Sequence, residues 1–179
     1  CRAIENEANG HGLDKASLVL KIPAGVPLSK GQWWIGDLDG DRNQRADLLI
    51  IRGGRIEALG VDSQPRWRSN MIDATHLAGV VDLNGDGPLE VVVVTNRSVY
   101  VFDARSGRIL WHLSDTAFDT DIVTGIFRSE LIDFTGDENP EIYVTDAGCG
   151  DEGTGRGAVF TFVGPTFGTR LSTLVGQRM

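Results

Sequence analysis

The chain has 179 residues, with 25 acidic against 17 basic side chains and a formal net charge of −8. That length suits one domain with a sizeable core, and the acidity argues against a nucleic-acid partner, whose phosphates require a cationic footprint. Glycine, at 23 residues against 6 prolines, is nearly twice its ordinary share of about 7%, which predicts many turns and many short strands.

Residues 1–14 read as a polar tail, and 17–22 as a strand that closes or extends a sheet. The longest apolar runs, 48–51 and 91–94, fall far short of the roughly 20 residues that span a bilayer. No charged-then-apolar signal segment opens the chain. Beginning with Cys1, it reads as processed or cut from something larger. Cys1 and Cys149 are either free or joined in an oxidising compartment, and a mature Cys1 would also suit a lipid anchor. No Cys/His cluster has zinc spacing.

From residue 31 a repeat governs the chain. Asp37-Leu38-Asp39-Gly40-Asp41 precedes Asp47-Leu48-Leu49-Ile50-Ile51. Asp82-Leu83-Asn84-Gly85-Asp86 precedes Glu90-Val91-Val92-Val93-Val94. Asp133-Phe134-Thr135-Gly136-Asp137 precedes Glu141-Ile142-Tyr143-Val144. The first aspartates, at 37, 82 and 133, lie 45 and then 51 residues apart. That is the period of a propeller blade, which spends four short strands per repeat.

An apolar stretch leads into each acidic loop: Trp33 to Ile35, Leu77 to Val81, and Leu131-Ile132. The β-branched runs after the loops favour buried strands. Gly53-Gly54 and Asn96-Arg97 then turn the chain into alternating strands at 56–59 and 99–102. The first two copies end near Trp67 and Trp111. In the third, the last two strands are expected at 158–163 and 170–175, set apart by a glycine-rich insertion over 148–157. Residues 113–126 are the best helical stretch and a weak one, and read as a connection between blades. The expected fold is all-β, about three four-stranded β-propeller blades within a larger or multi-chain propeller. The division is 1–30 tail and closing strand, 31–75 blade 1, 76–126 blade 2 with its connection, and 127–179 blade 3.

The chemistry sits in the loops. Counting from the first Asp, side-chain oxygens fall at positions 1, 3 and 5, and at 9 in copies two and three. Glycine at position 4 permits the sharp bend, and a carbonyl at position 7 would complete a cage. Hard oxygen donors in this number suit Ca²⁺, which takes 6 to 8 of them, better than Mg²⁺, which keeps several waters. The candidate metal ligands of copy two are Asp82, Asn84, Asp86, Glu90 and the Pro88 carbonyl. Those of copy three are Asp133, Thr135, Asp137, Glu141 and the Asn139 carbonyl, with the neutral Thr135 making the weaker site. In copy one Arg45 falls at position 9, so an insertion must bring Asp47 beside Asp37, Asp39 and Asp41. Two to three Ca²⁺ ions are expected. The alternative is that these Asp and Asn side chains only cap turns through their own backbone. An EF-hand is excluded, because position 12 would be Leu48, Val93 or Val144 where a bidentate Glu is needed.

With these residues the chain resembles the FG-GAP, or VCBS-like, repeat, whose motif is D-x-[D/N/T]-G-D followed by an acid and an apolar run. Integrin α-subunit heads, bacterial surface proteins and some polysaccharide lyases carry similar repeats. The resemblance covers about residues 31–175 and implies Ca²⁺ between the first and second strands of a blade, on the ligands already named. Residues 98–111 also look like the outer strands of quinoprotein-type blades, in which a glycine turn and a terminal tryptophan lock one blade to the next. Such a family member would be a non-catalytic, calcium-binding module at the cell surface or outside the cell, in the periplasm or on a lipid anchor. It would meet a protein or glycan partner, or other subunits completing the propeller.

The competing reading is an enzyme, a propeller polysaccharide lyase or a quinoprotein. Its candidate bases, His76, His112 and Arg128, are scattered and form no motif, and no cofactor signature, nucleophile elbow or phosphate loop is present. No catalytic residue is assigned. Trp33, Trp34, Trp67 and Trp111 are either stacking platforms for sugars or packing between blades. Asn96-Arg97-Ser98 matches the glycosylation sequon, a triplet common by chance.

Overall fold

The computed structural model describes residues 29, 31–40, 46–60, 62–114, 126–147, 156–162 and 168–175. The readings placed on residues 1–28, on Cys149, on Asp41 and Arg45, and on most of 113–126 and 148–157 lie outside them. Among the described residues there are twelve strands and no helix, so no helix is long and apolar enough to cross a membrane.

The first sheet holds β1 (Trp33–Gly36), β2 (Asp47–Arg52), β3 (Arg55–Leu59) and β4 (Pro65–Arg68). The second holds β5 (Ala74–Val81), β6 (Glu90–Thr95), β7 (Ser98–Asp103) and β8 (Ile109–Ser114). In the third are β9 (Ile126–Ile132), β10 (Glu141–Ala147), β11 (Arg156–Thr161) and β12 (Thr169–Val175). Each sheet is an antiparallel meander in which every strand pairs with its neighbour in sequence. At the β2–β3 hairpin Gly53 and Gly54 both have positive φ, +56° and +72°, the geometry that matches strand twist. Three boundaries differ from expectation: β5 of the second sheet opens at Ala74, β9 of the third at Ile126, and β11 at Arg156, inside the glycine-rich stretch. Because β10 runs on to Ala147, Thr145 has a partner there, Gly157.

The second strands explain how the sheets stack. Every residue of β6 is buried, which a sheet covered on both faces requires. Val91 and Val93 pack with Leu49, Ile51, Ile56 and Ala58 of the first sheet. Val92 and Val94 turn to the other face and pack with Ile142, Val144 and Phe160 of the third. The alternation of period two thus divides one valine run between two cores.

Tryptophans fasten the sheets together. Trp67 on β4 donates its Nε1–H to Ala104 O of the second sheet at 2.8 Å and stacks near Phe102, ring centroids 6.3 Å apart. Trp111 on β8 repeats the arrangement against Phe160 and Phe162 of the third sheet, at 5.0 and 5.3 Å. Trp34 packs into the first core, whereas Trp33 is 41% exposed. Of the two readings of the tryptophans, packing between blades holds for Trp34, Trp67 and Trp111.

The last sheet presents a different outer face. Leu38 and Leu83, the second residues of loops 1 and 2, are buried at 1% and 0% exposure. Phe134, the same residue of loop 3, is 49% exposed, and its neighbour Ile132 is 37% exposed.

Candidate metal-loop sites

All three acidic loops join the first strand of a sheet to the second: β1–β2, β5–β6 and β9–β10. Their fourth residues, Gly40, Gly85 and Gly136, have φ of +65°, +72° and +76°, a region costly to residues with a Cβ. The first aspartate collects the backbone that this bend exposes. Asp37 Oδ1 accepts from Gly40 N at 2.7 Å. Asp82 accepts from Gly85, Asp86 and Gly87 N at 2.8–3.2 Å. Asp133 accepts from Gly136, Asp137 and Glu138 N at 2.6–3.3 Å. Glu138 sits with φ +71°, where loop 2 has Gly87 at +94°.

The acid that opens each second strand closes the loop from below. Leu38 N donates to Asp47 Oδ2 at 3.2 Å, Leu83 N to Glu90 Oε2 at 2.8 Å, and Phe134 N to Glu141 Oε2 at 2.7 Å. Asp47 therefore stands in the place of Glu90 and Glu141 despite the longer loop before it. The three are 1%, 3% and 1% exposed. Burial drives the Glu90 carboxyl up to about 7; the Leu83 N–H opposes this, and the Asp86, Asp82 and Asp103 charges reinforce it. Burial also raises Asp47, against the pull of Arg66 and the Leu38 N–H, with Asp39 and Asp37 adding to the rise.

The remaining ligand candidates lie around these acids. Asn84 Nδ2 donates to Asp86 Oδ2 at 3.0 Å, and Asn84 Oδ1 accepts from Asp86 N at 3.0 Å. Thr135 Oγ1 donates to Glu141 Oε1 at 3.2 Å, and Asp137 Oδ1 accepts from Asn139 N at 3.0 Å. The Asn139 side chain reaches loop 2, where a Cβ on Gly85 would stand 3.0 Å from its Oδ1. Pro88 lines a groove of about 560 Å³ between loops 1 and 2, together with Asp37, Gly40, Asp86 and Arg105. Among the described residues, no basic side chain forms an ion pair with Asp82, Asp86, Glu90, Asp133, Asp137 or Glu141. The donor sets of loops 2 and 3 are all oxygen, the kind a hard divalent cation takes, although among the described residues only loop 1 brings three acidic ligand atoms within 4.8 Å of one another.

Loop 1 is different. Ligand atoms of Asp37, Asp39 and Asp47 lie within 4.8 Å of one another, but a guanidinium is among them. Arg66 Nη1 contacts Asp39 Oδ2, and Nη2 lies 2.8 Å from Asp47 Oδ1, an ion pair without hydrogen-bond alignment. The sequence reading missed Arg66. It lies 27 residues from Asp39, with no motif around it.

The candidate bases do not converge. His76 is on β5 and His112 on β8, the two edges of one sheet, about three strand spacings of ~4.8 Å apart. Burial lowers the His76 pKa, and His112 stacks on Tyr100 at 4.2 Å. Arg128 is on β9 of the next sheet. Asn96 of the sequon is exposed at the β6–β7 turn.

Three four-stranded meanders, stacked face to face with an acidic loop after each first strand, are blades of a β-propeller. Residues 82–144, from the acidic loop of the second sheet to β10 of the third, match the model of the FG-GAP-like repeat. No curated protein shows significant sequence similarity to the chain. Among solved structures it is similar to rhamnogalacturonan lyase YesW, with 18% identity and a TM-score of 0.58 over 83% of this chain and 34% of that one. It is also similar to the Bacillus licheniformis rhamnogalacturonan lyase PL11, with 17% identity and a TM-score of 0.57 over 81% and 34%. The chain spans about a third of the length of these lyases.

Proposed function

We propose that this chain is a non-catalytic, calcium-binding set of propeller blades that works outside the cytoplasm. The observation that carries the reading is the pair Glu90 and Glu141, buried carboxylates beneath oxygen-lined loops with no basic partner among the described residues. Loop 2 would hold the ion through Asp82, Asn84, Asp86, Glu90 and the Pro88 carbonyl. Loop 3 would use Asp133, Thr135, Asp137, Glu141 and the Asn139 carbonyl. A bound cation supplies the charge that these carboxylates lack, and so couples metal loading to blade stability. Oxygen cages in surface loops load where calcium is plentiful, which favours the extracellular, cell-surface or periplasmic space.

The exposed pair Ile132 and Phe134 is the seat of a further four-stranded blade, supplied by the same polypeptide or another subunit. The support is continuity: at both observed interfaces the matching loop residue is buried against the next blade. The completed ring would then present its loops to a protein or glycan. Calcium titration of the chain by calorimetry tests the metal reading. Uptake with micromolar to millimolar affinity and a raised melting temperature are expected; no uptake, with an unchanged midpoint, overturns it.

A second reading makes the blades part of a polysaccharide-cleaving enzyme, and the likeness to two lyase structures favours it. Incubation with rhamnogalacturonan, with and without calcium, separates the two. Appearance of unsaturated products would overturn the non-catalytic reading.

A further inference from the structure

Arg66 enters loop 1 by a device of the backbone. In the pairing of β3 with β4, Ala58 opposes Trp67 and Leu59 opposes Pro65, so Arg66 is the extra residue of a β-bulge. Bulges re-aim a side chain and break the ladder locally. The same bulge recurs in the other blades. Between Val101–Trp111 and Phe102–Ile109 the extra residue is Leu110. Between Val159–Ser172 and Phe160–Arg170 it is Leu171. One structural position thus carries a cation in blade 1 and leucine in blades 2 and 3.

The chemistry of the three loops divides the same way. The guanidinium is a planar fork of five donors that stays charged at any pH the protein meets. It bridges the third-position and strand-opening acids of loop 1, Asp39 and Asp47, the two points a metal would have to share. Three carboxylates within 4.8 Å repel one another unless a positive charge lies among them. Loops 2 and 3 have no such partner among the described residues.

We propose that Arg66 is the built-in cation of loop 1, standing in the place that loops 2 and 3 leave to a divalent metal. Loop 1 is then a metal-independent member of the set, and the chain takes two calcium ions where its three acidic loops would suggest three. The comparison with loops 2 and 3 rests on the calcium reading above, but the state of loop 1 is decided by a difference between variants.

The test is the calcium count per chain, by equilibrium dialysis and by terbium luminescence, for the wild type, R66Q and D39N. R66Q is expected to bind one ion more than the wild type, and to be the less stable protein in chelator and the more strongly stabilised by calcium. D39N is expected to leave the wild-type count unchanged; it needs no refolded R66Q to be informative. An R66Q count equal to the wild type, or loss of one ion in D39N, overturns the assignment. A wild type that binds no calcium overturns the reading of loops 2 and 3, while the R66Q difference still decides loop 1.

Discussion

Gly107 lies against the indole of Trp67: a Cβ at this glycine would stand 2.5 Å from ring atoms Cδ2 and Cε3. The glycine belongs to the β7–β8 turn of blade 2 and the tryptophan to the last strand of blade 1. Gly168 and Trp111 repeat the relationship between blades 2 and 3. A flat ring on a bare backbone brings two sheets closer than any side chain would allow.

Gly107→Ala should therefore cost more than a backbone penalty. Its φ of +68° carries roughly 1–2 kcal/mol for a residue with a Cβ, and overpacking against the ring adds about 1–3 kcal/mol. Gly53, with φ +56° and open space for 4 Å around the position a methyl group would take, supplies the control and should lose only the first amount. Urea unfolding of both variants measures the difference; equal losses would show that the ring does not press on Gly107.

Truncating the second residue of each loop reads out which faces are covered. Leu83→Ala removes a side chain that is 0% exposed and should destabilise by about 2–5 kcal/mol. Phe134→Ala, at the same position of loop 3 but 49% exposed, should cost less than about 1 kcal/mol. A large loss at Phe134 in chemical denaturation would mean that this chain already buries the ring.

Asp82→Ala and Asp133→Ala should each lose one calcium ion and the stabilisation that goes with it. Dialysis counts the ions, and hydrogen exchange should locate the loss of protection in the variant's own blade. An unchanged count in both variants rules out the first aspartates as ligands.

In chelator, stability should fall as the pH rises from about 4.5 to about 7, because folded Glu90 keeps its proton to about 7 while the unfolded side chain releases it near 4.5. The contribution is fully present below the lower value and lost through the upper one. Calcium, which binds the carboxylate, should remove or reverse the decline. Melting temperatures across this range in EDTA and in calcium report it, and Glu90→Gln should flatten the EDTA profile.

Glu138→Gly should stabilise the protein by about 0.5–1 kcal/mol. The gain comes from relieving a left-handed residue with a Cβ, less the extra freedom that glycine gives the unfolded chain. Gly87 already holds the equivalent place in loop 2. A lower denaturation midpoint for the variant would show that the Glu138 side chain contributes something the backbone argument omits.

Much of this arrangement is legible in the sequence because the repeat is local. Asp82, Gly85 and Glu90 lie within nine residues, and their spacing alone places a bend, a strand start and the acid that opens the strand. Trp67 and Trp111 are readable as blade fasteners because each closes its copy of the repeat at the last strand. Arg66 is not legible, since its partners are 19 and 27 residues away and the bulge that aims it leaves no mark in the pattern. Phe134 is equally silent: its apolar character is that of Leu38 and Leu83, and only the packing distinguishes a covered face from an open one.

The division of the β6 valines between two cores has a consequence for how the chain comes apart. Blades 1 and 3 each lean on blade 2, whose second strand serves both cores. The molecule then behaves as a short linear array with nearest-neighbour coupling. Damage to an outer blade leaves one interface standing, whereas damage to the middle blade severs both. Opening should therefore begin at the ends and become global only when β6 is exposed, which makes that strand the cooperative centre of the molecule.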